Sequence, residues 1–138
     1  MLSTAHLVVG AAIGASGASY AEILFYSVIM HFLMDTLPHW DPDFTKNRRF
    51  FVIASVDMLV GLCLVFGLVG NDLNPKILIG MMFSILPDVI TFFLLMWKTT
   101  FGQNYIEWHK MIQNRNNHWG GILSQLLVIL LGGLLLII

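Results

Sequence analysis

The twenty residues from Trp119 to Ile138 contain no charged side chain, and a run of that length matches the ~20 residues a helix needs to cross a bilayer's hydrocarbon. A helix that is apolar on every side offers no face to water and must be enclosed by protein or by lipid. Only 11 % of the 138 residues are charged and 57 % are hydrophobic, against about 25 % charged in soluble domains. The chain has too little polar surface to enclose such helices in water. It reads as all-α, an integral membrane helical bundle of four or five apolar helices plus an interfacial helix, forming a single domain over residues 1–138.

Five apolar stretches carry this reading. The first runs from about Ala5 to Tyr20, is short for a span, and has Gly10 and Gly14 spaced for close helix packing. The second, about Glu22 to Leu37, ends at Pro38, because the residue before proline disfavours helix. A polar loop, His39 to Arg49, precedes the third stretch, Phe50 to Val69, which only Asp57 interrupts. The turn-like Gly70 to Pro75 leads to the fourth, Lys76 to Trp97, with an expected interruption at Pro87-Asp88. In the polar segment Lys98 to His118, the placement of Ile106, Met111 and Ile112 predicts an interfacial amphipathic helix. The fifth stretch is Trp119 to Ile138.

Several function classes are excluded or disfavoured at once. Seven Lys/Arg against eight Asp/Glu give a net charge of -1, with no basic run to neutralise a nucleic-acid backbone, so no nucleic-acid partner is expected. The lone Cys63 rules out a disulfide framework and a thiolate zinc motif, and reads as a small buried hydrophobe. No Lys or Arg precedes the first apolar stretch, unlike a cleaved signal peptide, so residue 1 is expected to be the mature start.

If the stretches alternate in direction, Lys46, Arg48, Arg49, Lys98, Lys110 and Arg115 share one side and only Lys76 lies on the other. Positively charged loops stay cytoplasmic, which puts the polar segments and the N-terminus there. At ~1.5 Å of rise per residue, His31 and Asp57 then lie about two turns, and Asp88 two to three turns, inside the cytoplasmic boundary. His6, Asp35, His39 and Asp41 fall at or near the same boundary. Asp43 and Glu107 lie in the cytoplasmic segments, and Glu22 and Asp72 at the far, solvated ends.

Ionisable groups inside a membrane are costly and face one another, a cavity or an ion. His31 and Asp35, four apart on a helix, point to one face and can grip one metal together. Leu37-Pro38-His39-Trp40-Asp41 adds a second imidazole and a second carboxylate. His109 is spaced from Gln113 as His31 is from Asp35, and both could close over the site. His118 beside Trp119, like Trp97 and Trp108, reads as a membrane-interface anchor. Taken singly, Asp57 and Asp88 are equally readable as polar latches between helices. The candidate metal ligands are His6, His31, Asp35, His39, Asp41, Asp57, Asp88 and His109, with Asp41 and Asp88 as candidate catalytic carboxylates. Imidazole and carboxylate without thiolate suit a divalent metal, zinc first and manganese or iron next, and the surplus over four ligands allows two or three ions. Such clusters activate water and clamp a phosphoryl oxygen.

The order of these features resembles a family. Thr4-Ala5-His6 opening a small-residue helix, the Leu37 to Asp41 element and the late histidines resemble the small inner-membrane metal-dependent hydrolases described as LexA-binding and inner membrane-associated, which are distantly similar to zinc-dependent phospholipase C. The family's Leu-Pro-Asp-x-Asp-His element has His39 in place of its first Asp here and keeps Asp41. Its later His-Arg-x-x-Thr-His motif has no close counterpart, and His109 to His118 stands in its place. The resemblance implies His6, Asp41 and Asp88 as ligands. With the resemblance, the residues read as a membrane-bound hydrolase acting on a phosphoester at the cytoplasmic boundary of a bacterial-type inner membrane, a lipid being the natural guess because a site at headgroup depth meets lipids first. The alternative from the residues alone is a non-enzymatic metal-binding, transport or structural membrane protein. A transport path needs polar groups through the midplane and at both faces, and the far half of each stretch is nearly devoid of them.

One internal echo, Phe32 to His39 against Met81 to Asp88, pairs an apolar helix with Leu-Pro and a potential ligand in both places.

Overall fold

The computed structural model describes residues 1–41, 49–97, 99–115 and 119–138. Among these residues every regular element is helical: α1 (Ser3–Ala15), α2 (Tyr20–Asp35), α3 (Arg49–Val69), a 3-10 turn (Gly70–Asp72), α4 (Pro75–Trp97), α5 (Thr100–Ile112) and α6 (Trp119–Ile137). Three helical segments, beginning at Phe51, Pro75 and Trp119, are long and apolar enough to cross a membrane. Their outward side chains are mostly large hydrophobics, as in Leu123, Leu127 and Leu131 of α6, which is compatible with a lipid surround.

α1 is the centre of the molecule although it is too short to span. Its 13 residues cover about 20 Å, and it packs against α2, α3, α4 and α6. Glycines make this possible. A Cβ on Gly10 would strike the Gly80 carbonyl, and one on Gly80 would strike the Gly10 carbonyl, so α1 and α4 meet backbone to backbone. On α3, Gly61 lies against Thr4 and Leu7, and on α6, Gly132 lies against Val8 and Val9. Three neighbours thus present a small residue to α1, the device that lets membrane helices approach closely without a hydrophobic driving force. Leu7, Val8 and Ala11 pack with Val65, Val69, Ile77 and Met81 in the resulting core. Gly10 and Gly14, spaced for close helix packing, both lie against α4.

The helix ends follow local chemistry. Ser19 caps α2 in a reciprocal capping box with Glu22, and Thr99 caps α5 through the Gly102 amide. α4 runs unbroken through Pro87, contrary to the expected interruption: proline removes one donor, and packing against α1, α2 and α5 holds the helix across the gap. Cys63 is exposed, contrary to the buried expectation, because apolar character does not imply an inward position on a helix whose outer face is itself apolar. The interfacial-helix expectation corresponds to α5, which buries Ile106 and His109 and leaves Met111 outside. Asp43, Lys46, Arg48, Lys98 and His118 lie outside the described residues, as does the Arg49 side chain.

Candidate metal centre

The start of α1, the end of α2 and the beginning of α6 come together at one end of the bundle. The Leu2 amide donates to Gln125 Oε1, and Gln125 Nε2 donates to the Trp40 carbonyl. Ser124 Oγ donates to the Pro38 carbonyl. The strand-like segment after α5 clamps the segment after α2: the Asn114 amide donates to Asp35 O and the His39 amide to Asn114 O. These bonds fix the irregular backbone that carries His39 and Asp41.

Beneath this clamp, His31 and Asp35 of α2, Asp88 of α4 and His109 of α5 each offer one ligand atom within 4.8 Å of the other three. His31 Nε2 and His109 Nε2 are 3.3 Å apart. Asp35 Oδ2 lies 3.4 Å from the first and 3.2 Å from the second, and Asp88 Oδ1 lies 3.8 and 3.9 Å from them. Zinc bonds of about 2.0–2.1 Å to imidazole and carboxylate place the corners of a tetrahedron about 3.3 Å apart. The described separations are at or slightly above that spacing. This buried His/Asp group could bind a metal ion.

The tautomers point the same way. His31 Nδ1 lies 2.7 Å from the Ser84 carbonyl, and a carbonyl only accepts, so Nδ1 holds the proton and Nε2 the lone pair. Thr91 Oγ1 donates to the Pro87 carbonyl at 2.9 Å and faces His109 Nδ1 at 2.8 Å. With its proton committed, the hydroxyl accepts from His109 Nδ1, and His109 Nε2 faces Asp35 Oδ2. His39 Nδ1 donates to the Leu37 carbonyl at 2.8 Å, and its buried Nε2 has no hydrogen-bond partner. Three imidazoles thus have their Nδ1 held by a second group, the usual support of a metal-binding histidine. The Nε2 atoms of His31 and His109 and Asp35 Oδ2 face one another at 3.2–3.4 Å, a gap that a shared proton or a metal ion would bridge.

The remaining candidates divide. His6 is fully buried, stacked on His31 with ring centroids 4.2 Å apart, and neither of its ring nitrogens has a hydrogen-bond partner. Its Nε2 lies 3.4 Å from Asp35 Oδ1, the oxygen that also accepts from the Met1 amine at 2.7 Å. Asp35 therefore turns one oxygen to His31 and His109 and the other to His6. Asp41 pairs with Arg115 at 3.2 Å. Burial pushes its carboxyl up to about 6 and pushes the His39 imidazole down to about 4. Asp57 is not brought to the group. It takes the Thr4 hydroxyl at 2.7 Å and the Thr4 amide at 3.3 Å, so it satisfies an unpaired donor of the first turn of α1, where a carboxylate also complements the helix dipole. Gln113, expected to close over the site with His109, instead accepts from Arg115.

Sequence reasoning missed the supporting groups: Thr91, the Ser84 carbonyl, Gln125 and Thr4. Thr91 lies three residues after Asp88 and so on the same face of α4, which is the one signal that could have found it. Comparison with known proteins finds no matching family model, no matching curated protein and no matching solved structure.

Proposed function

We propose that the protein is a membrane-embedded, metal-dependent hydrolase of phosphoesters, with its site at the cytoplasmic boundary of a bacterial-type inner membrane. In this reading α2 and the enclosed α1 join the three longer helices as a bundle of five apolar helices, and α5 lies at the interface. The observation that carries the proposal is the double face of Asp35, with His31 and His109 at one oxygen and His6 beside the Met1 amine at the other. Asp35 would serve two ions if the Met1 amine gave up its place at the second oxygen. His31, His109 and Asp88 would complete the first, and His6, with His39 and Asp41 as further donors, would serve the second. The resemblance to the inner-membrane metal-dependent hydrolases supports the same assignment.

Zinc or a similar divalent ion held here supplies Lewis acidity to a phosphoryl oxygen and makes water more acidic. The chain's own part is to hold the donors in register and exclude bulk water, with Asp41 or Asp88 taking the proton of the attacking water. The water oxygen bonds to phosphorus as the ester P–O bond breaks, and the leaving alkoxide takes up a proton. The test is hydrolysis of bis(p-nitrophenyl) phosphate by the detergent-purified protein reloaded with zinc. Chelator-sensitive turnover, reduced at least about a hundredfold in Asp88→Asn, is expected. Turnover no faster than in a His31→Ala/Asp88→Ala double variant would overturn the hydrolase reading.

A further inference from the structure

α3 and α4 each pack on α1 but, among the described residues, form no packed seam with one another. Two helices diverging around a third leave a wedge, here a cavity of about 550 Å³ floored by the start of α1. Its walls are mostly apolar, with Phe51, Ala54, Met58 and Leu59 beside Ser55 and Asp57 on α3, and Val89 and Phe92 on α4. Phe51, Leu59 and Phe92 are 55, 59 and 40 % exposed, so the outer lip of the cavity belongs to the surface that two membrane-length helices turn to their surroundings. Rings of Phe51 and Phe92 meet edge to face across the gap, 6.0 Å between centroids.

The inner end is different in kind. Asp88 lines the cavity and is also one of the four clustered donors, so the apolar wedge leads directly to the candidate metal centre. The other two carboxylates there are already engaged, Asp41 by Arg115 and Asp57 by Thr4. A compartment whose exposed lip is apolar, whose walls are mostly apolar and whose inner end carries polar chemistry fits an amphiphile better than a wholly water-soluble substrate.

We infer that the cavity between α3 and α4 holds the hydrocarbon chain of the substrate, entering sideways from the bilayer, so that the hydrolase acts on a lipid phosphoester. This rests on the hydrolase reading for the chemistry but not for the binding. Binding is therefore tested first, by native mass spectrometry of the zinc-loaded, delipidated protein with palmitoyl lysophosphatidate and, separately, glycerol 3-phosphate. The cavity-filling Ala54→Trp is compared with Leu130→Trp, on the exposed face of α6. Lysophosphatidate binding is expected to weaken at least about tenfold in Ala54→Trp and to stay unchanged in Leu130→Trp, with glycerol 3-phosphate indifferent to both. Equal binding by Ala54→Trp and wild type would overturn the proposal.

A second measurement needs no variant. A phospholipid carrying a diazirine on its acyl chain, photolysed in vesicles with the wild-type protein, is expected to label Met58, Val89 and Phe92 above the outer residues of α6. Labelling no stronger there than at Leu123 and Leu127 would also refute it. If chain-dependent binding holds while bis(p-nitrophenyl) phosphate and lysophosphatidate both go unhydrolysed, the hydrolase reading fails and the lipid site stands.

Discussion

His31 and His109 owe their orientation to groups outside the His/Asp cluster. The Ser84 carbonyl and the Thr91 hydroxyl each hold an Nδ1, which turns Nε2 toward Asp35. Thr91→Val keeps the shape of the side chain and removes the acceptor. It is expected to lower zinc affinity by about 10–100-fold, the usual cost of losing such a support, with helicity unchanged. Competition against a fluorescent zinc chelator measures it. Asp41 provides a second test at this scale. Its folded carboxyl ionises at about 6 against an ordinary value of 3.8, so between those values the fold keeps a proton the unfolded chain has released. Its contribution to the stability of the metal-free protein is therefore full below pH 3.8 and lost as pH rises through 6. Asp41→Asn stays neutral throughout and is expected to stabilise the metal-free protein at pH 8 by at most about 3 kcal/mol, read as a raised midpoint of thermal unfolding in detergent. A lowered midpoint would mean that the Arg115 ion pair outweighs burial.

At the scale of elements, α1 decides the architecture through what it lacks. The Gly10 to Gly80 contact leaves no room for a methyl group on either helix, and relief requires α1 and α4 to separate along their whole interface. Gly80→Ala is therefore expected to cost about 3 kcal/mol or more. Gly67→Ala, with nothing near its Cβ position, is expected to be neutral or to gain up to about 1 kcal/mol of helix propensity. Denaturant titration of the two variants in the same detergent separates them. The sequence made the helices legible because a lipid-facing surface needs only apolar length, and it placed most boundaries within a few residues. It did not make the central role of α1 legible. Which helix a glycine faces depends on the third dimension, and α1 is enclosed because Gly61, Gly80 and Gly132 arrive from three different segments.

Across the whole molecule, depth along alternating helices puts His31, Asp35 and Asp88 near one boundary, and in the fold these three lie together with His109. His6 and His39, chosen partly for the same reason, are buried beside them with ring nitrogens unpartnered. Asp57 shares the level but not the group, because depth fixes a residue's height along a helix and not its bearing around it. Its bearing is set by Thr4, a neutral residue with no special spacing to mark it. The bundle thus combines an apolar exterior, a glycine-packed centre and one polar end where donors from four helices converge. At that end four imidazoles are buried around Asp35, whose one oxygen pairs with the Met1 amine while the other faces His31 and His109.

Metal content tests this account most directly. Wild type, His31→Ala/Asp88→Ala and Asp57→Asn are purified in detergent after zinc loading and desalting, and each is analysed by elemental mass spectrometry. The account predicts about two equivalents of zinc in wild type and in Asp57→Asn, and less than about half an equivalent in the double variant. Wild type without stoichiometric zinc, manganese or iron, or a double variant retaining the wild-type content, would contradict it and leave the buried histidines and carboxylates as a polar latch between helices.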